Sequence, residues 1–123
     1  YTMKVLLIDD NPIDLMMHQK LVQRTLENAT VEKVMGGEAA IKFLDSTENF
    51  PDLILLDIKM PIMSGFEFLE AIKNRAYTGK LKIYMVSSSI DPKDIQLAQD
   101  SELVKAFLEK PLSMEAIQKI DWQ

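Results

Sequence analysis

Asp9 and Asp10 follow the apolar run Val5-Leu6-Leu7-Ile8, and Asp57 follows Leu53-Ile54-Leu55-Leu56. Ser87 follows Lys82 to Val86, and Lys110 comes just after Ala106-Phe107-Leu108. If the runs ending at Asp9 and Asp57 lie side by side, three carboxylates converge. Each close pair then repels by about 4 kcal/mol at about 4 Å and an effective dielectric near about 20. Such a cluster needs cations. Three carboxylates and the Lys110 ammonium leave two negative charges, which one divalent ion would neutralise. With oxygen donors only and no His or Cys nearby in sequence, the hard ion Mg²⁺ is the natural choice.

These residues must be held by the elements between them. Met3 to Ile8 is a nearly continuous apolar run of the kind a strand buried on both faces shows. Asn11 and Pro12 supply a cap and a first-turn proline, and Ile13, Met16, Met17, Leu21, Val22 and Leu26 recur at helical spacing to about Asn28. Thr30 to Val34 reads as a partly polar strand. Gly36-Gly37 then breaks the chain, and Ala40, Ile41, Phe43 and Leu44 mark a second helix ending near Ser46. After the third strand, Pro61 and Gly65 lie in a turn, and Ser64 with Glu67 has capping-box spacing ahead of Phe66, Phe68, Leu69 and Ile72. Lys82 to Val86 is a fourth strand, and Asp91-Pro92 opens a short helix through Ile95, Leu97 and Ala98. Ala106 to Leu108 is a brief fifth strand, and Ser113 caps a last helix containing Ile117 and Ile120. Alternating strands and helices imply a parallel sheet covered on both faces. In such a sheet, ligands bind beyond the carboxyl ends of the strands, where the polar residues gather.

Composition limits what this edge can do. The 123 residues suit one domain, and 47% hydrophobic content suffices for one core. The net charge of −5 is the wrong sign for unaided grip on nucleic-acid phosphates. The lack of cysteine excludes a disulfide scaffold, a thiolate metal site and a cysteine nucleophile. No apolar run has membrane-span length and no signal-peptide pattern opens the chain, so a cytoplasmic location is expected.

In order and at the matching strand ends, Asp9-Asp10, Asp57 with Met60-Pro61 and Gly65, Ser87, and Phe107 three residues before Lys110-Pro111 resemble the receiver domain of two-component response regulators. The resemblance covers essentially the whole chain and is closest in kind to stand-alone, chemotaxis-regulator-like members. It implies a flavodoxin-like α/β fold: a doubly wound, five-stranded parallel sheet of order 2-1-3-4-5 with five helices. One receiver domain would occupy residues 1–123 and leave no room for an output domain. Asp57 would accept a phosphoryl group from a sensor histidine kinase or histidine-phosphotransfer protein. Asp10 and Asp57 would bind Mg²⁺ directly, Asp9 chiefly through water, and Lys59 through its backbone carbonyl. Lys110 would pair with the phosphoryl oxygens through a site that includes a cis Lys110-Pro111 peptide, and Ser87 would donate a hydroxyl hydrogen bond. Ser87 and Phe107 would form the switch, repacking the face of helix four, strand five and helix five that meets a downstream protein. Such a chain would catalyse its own phosphorylation and dephosphorylation without turning over a metabolite. Ser87 stands where Thr is commoner, and Phe107, where Tyr is commoner, offers no hydroxyl.

Other readings of the same residues are weaker. An acidic pair after a strand is ordinarily a solvated cap, a reading that Asp57 and Lys110 in register reverse. A Mg²⁺-dependent aspartyl-phosphate phosphatase is the main alternative, but Asp57-Ile58-Lys59 lacks the second acid of an Asp-x-Asp motif. A flavin or nucleotide binder would need a glycine-rich phosphate loop that is absent. A degenerate receiver acting as a constitutive scaffold is disfavoured because every site residue is present. His18 is expected on the surface, with Met16, Met17 and Met85 as core filler and Met63 and Met114 as candidates for a contact face. Ser89 and Lys59 occupy positions that tune dephosphorylation in the family.

Overall fold

A strand can bury four consecutive apolar side chains, as in Val5 to Ile8, only if it is covered on both faces. The computed structural model, which describes residues 2–88 and 91–120, builds the sheet from such strands. The order is β1 (Met3–Asp9), α1 (Pro12–Thr25), β2 (Ala29–Met35), α2 (Gly37–Ser46), β3 (Leu53–Asp57) and α3 (Gly65–Ile72). A short turn of 3₁₀ helix (Thr78–Lys80) precedes β4 (Ile83–Ser87), α4 (Pro92–Asp100), β5 (Val104–Glu109) and α5 (Met114–Gln118). The strands are parallel in the order β2-β1-β3-β4-β5. This is the expected flavodoxin-like architecture, and its order reverses between β1 and β3, where Asp9 and Asp57 end their strands.

Strand alternation divides the core in two. Leu6, Ile8, Ile54, Leu56, Ile83 and Met85 pack beneath α2, α3 and α4, against Ala40, Leu44, Phe68, Leu69, Ile72 and Ala98. Val5, Leu7, Leu53, Leu55, Tyr84 and Val86 pack beneath α1 and α5, against Leu15, Val22, Ile117 and Ile120. Burying each such side chain stabilises the fold by about 1.5–3 kcal/mol before chain entropy is counted.

Local signals set the helix starts. The Asn11 side chain accepts from the N–H groups of Ile13 and Asp14, with Pro12 in the first turn. Ser64 and Glu67 form the expected capping box on α3. Gly65 is required by close approach: a Cβ there would lie 2.5 Å from the Asp57 carbonyl oxygen and 2.8 Å from Met85 Cε.

Several expectations need correction. α1 ends at Thr25 rather than near Asn28, and Asn28 takes a left-handed φ of 63° in the turn to β2. The buried positions of α1 are Leu15, His18 and Val22, so His18 lies on the stripe facing the sheet and is not a surface residue. Met16 and Met17, expected as core filler, are instead exposed, as is Ile13; Met85 is fully buried, as expected. Met63 is half-buried against Gly37, where a Cβ would meet its sulfur at 2.6 Å, and is not part of an open contact face. Met114 is exposed. Ser89 and the final residues Trp122-Gln123 lie outside the described residues.

Candidate functional site

The site is built by strand ends. In β1 and β3, Asp9 and Asp57 continue the alternation of Val5-Leu7 and Leu53-Leu55, the residues that face α1 and α5. Asp10 follows at the first residue of the loop. Carboxylate oxygens of Asp9, Asp10 and Asp57 lie within 4.8 Å of one another, with Asp9 and Asp57 buried.

Lys110 supplies the positive charge. Its peptide bond to Pro111 is cis, as the resemblance implied, and its backbone N–H donates to the carbonyl of Ser87 at 2.9 Å. The ammonium contacts Asp14 Oδ2 at 2.9 Å, Asp9 Oδ2 at 3.0 Å and Asp57 Oδ1 at 3.4 Å. The other oxygen of Asp9, Oδ1, accepts the backbone N–H of Asn11 at 3.0 Å. The α1 cap and the acid cluster are therefore continuous.

Burial and the neighbouring Asp9 carboxylate push the Asp57 carboxyl up to about 6, with a smaller push from Asp10, although Lys110 pulls the other way. One ammonium does not compensate this cluster. For Lys110 itself, burial opposes the charged form, but Asp14, Asp57 and Asp9 together outweigh it and raise its pKa. His18 is held below the usual imidazole value by burial and by Lys110, against a weaker pull from Asp14 and Asp9. Buried carboxylate oxygens in excess of the available positive charge fit a hard divalent cation such as Mg²⁺.

The remaining predicted residues lie on β4, on β5 and in the loop after β3. Ser87 closes β4 and is buried. Phe107 is half-buried in β5, in register with Met85 and packed on the α2–α4 side of the core. The Lys59 side chain pairs with Asp94 of α4 at 3.7 Å. Asp14 has no sequence signal of its own. It reads as an ordinary acid in the first turn of a helix, and its partner is 96 residues away.

The parallel sheet with this strand order carries three converging acids and a lysine at the carboxyl ends of its strands. The family model for the response regulator receiver domain matches residues 5–120, and the chain belongs to that family. It is 33% identical over 84 residues to the nitrate/nitrite response regulator protein NarL of Escherichia coli K12, covering 68% of this chain and 38% of NarL. It is 31% identical over 121 residues to the two-component response regulator ARR2 of Arabidopsis thaliana, covering 98% of this chain and 17% of ARR2. The chain thus spans well under half the length of these two relatives. A two-component response regulator from Cytophaga hutchinsonii has a structure similar to this one, with a TM-score of 0.87 and 30% identity, covering 96% of this chain and 93% of that one. Membership implies phosphorylation-dependent signalling. Among the described residues, no helix is long and apolar enough to cross a membrane.

Proposed function

We propose that the chain is a phosphorylation-activated switch in which Asp57 takes a phosphoryl group from a phosphohistidine of a sensor kinase or phosphotransfer protein. The observation that carries this reading is the Asp57 carboxylate at the end of β3, 3.4 Å from the Lys110 ammonium and within 4.8 Å of Asp9 and Asp10. An Asp57 oxygen attacks phosphorus as the phosphorus–nitrogen bond breaks, and the leaving imidazole keeps the electron pair. Transfer of this kind asks mainly for positioning and charge neutralisation. Asp9, Asp10, Asp57 and the Lys59 carbonyl would hold Mg²⁺, which when bound neutralises charge building on the phosphoryl oxygens. Lys110 pairs with those oxygens, and Ser87 donates its hydroxyl to one of them.

The output is a change of protein-binding face. Phosphorylation adds charge and acceptor oxygens at Asp57. Ser87 and Phe107 sit on adjoining strands, Phe107 opposite the residue two before Ser87. Movement of Ser87 toward the phosphoryl group would therefore let Phe107 repack over Met85. Leu97 on α4 and Met114 on α5 are exposed apolar residues flanking that edge, which suits contact with a downstream protein.

Mass spectrometry of the intact protein after treatment with acetyl phosphate and Mg²⁺ tests the assignment. One phosphoryl group is expected in wild type and none in Asp57→Ala. Equal labelling of the variant would overturn it.

A further inference from the structure

We infer that Asp14 is a positioning residue that holds the Lys110 ammonium independently of the acids needed for cation binding. This deepens the reading of Asp57 and Mg²⁺ given above and rests on it.

The Lys110 ammonium is shared among three acids. Lys110 Nζ has three protons to donate and touches three carboxylates. Two of them, Asp9 and Asp57, also belong to the cluster that would receive a divalent cation. Asp14 does not, yet it makes the shortest contact, at 2.9 Å. Both Asp9 oxygens are already engaged, Oδ2 by Lys110 and Oδ1 by the Asn11 N–H, so any cation at Asp9 shares them with these donors. Without Asp14, every charge holding Lys110 would be one that a cation also uses. Ammonium and cation would then compete for the same carboxylates.

Asp14 is suited to end that competition. It lies in the first turn of α1, where the Asn11 side chain receives its backbone N–H, so its main chain is fixed relative to the acid pair. Its side chain is 30% exposed, against 4% for Asp9 and 7% for Asp57, and it carries its charge at lower desolvation cost. One turn further along, His18 lines the same cavity beside Lys110 and Pro111, and among the described residues Asp14 is the only acid lining it. Burial and the nearby Lys110 both disfavour the charged imidazole, so His18 is a poor source of competing positive charge.

Calorimetric titration of Mg²⁺ into wild type, Asp14→Asn, Lys110→Met and the double variant tests the inference, together with ¹⁵N NMR of the Lys110 ammonium in metal-free protein. Asn keeps the shape of Asp14 and removes its charge. Its ammonium should then fall back on Asp9 and Asp57 and weaken Mg²⁺ binding about tenfold, the scale of one charge-assisted hydrogen bond. In the Lys110→Met background the same substitution should change affinity less than twofold, because the effect passes through the lysine. The Lys110 ammonium signal should shift in Asp14→Asn without metal. Wild-type affinity in Asp14→Asn, or an equal loss with and without Lys110, overturns the inference. If wild type binds no Mg²⁺, the metal reading fails, and an unchanged Lys110 signal then overturns the Asp14 assignment separately.

Discussion

Replacing Asp57 with asparagine should make the metal-free protein more stable, even though it removes the proposed reactive group. Asparagine resembles the protonated carboxyl in size and charge. In the folded chain Asp57 holds its proton up to about 6, against 3.8 when unperturbed, because it is buried beside Asp9. The folded state therefore binds more protons than the unfolded state between those values. Stability falls as pH rises through that window, and the penalty is complete above about 6 and absent below about 3.8. At about 1.4 kcal/mol per pH unit, the full penalty is about 3 kcal/mol. Urea unfolding in EDTA should show Asp57→Asn more stable than wild type by about 2–3 kcal/mol at pH 8, with the gap closing toward pH 4. Added Mg²⁺ should stabilise wild type more than the variant and narrow the gap from the other side. Equal stability at pH 8, or a gap that persists undiminished at pH 4, would refute the argument that ionised Asp57 is held at a cost.

Two further expectations concern the loop after Asp57. Gly65→Ala puts a methyl group against the Asp57 carbonyl oxygen and should cost about 2–4 kcal/mol in urea unfolding while lowering acetyl phosphate labelling; an unperturbed variant would show that β3 and α3 can separate freely. Ile62 has a φ of 70° and is 92% exposed, so Ile62→Asn relieves left-handed strain and loses little packing. A gain of about 1 kcal/mol is expected, and a loss would mean that Ile62 makes contacts worth more than its strain.

How much could be read from the residues depended on whether a feature was local. The strand ends at Asp9 and Asp57 were legible because a parallel strand buried on both faces must be apolar until the point where it meets solvent or chemistry. The α3 capping box was legible for a similar reason, since its hydrogen bonds span three residues. α1 was misread. Of the apolar residues read as its stripe, Val22 is buried and Leu21 and Leu26 pack on the core, but Ile13, Met16 and Met17 face outward, so hydrophobicity alone did not separate the two faces. The stripe of Leu15, His18 and Val22 includes an imidazole, whose charged form burial disfavours. Asp14 was invisible because its role depends on a partner brought to it by the tertiary fold.

The sheet also has uneven stiffness. β3 and β4 are wholly buried and clamped by neighbours on both sides, whereas β5 is an edge strand with mostly half-buried or exposed residues. Its ladder to β4 already carries an irregularity at Ile83/Tyr84. Ser87 stands at the boundary between the rigid and the compliant parts. If Ser87 moves toward a phosphoryl group on Asp57 as proposed, the adjustment falls on the less buried β5 side of β4, because β3 is close-packed. On that proposal the difference in packing between β3 and β5 would itself give the response a direction, with Phe107 of β5 on the receiving side.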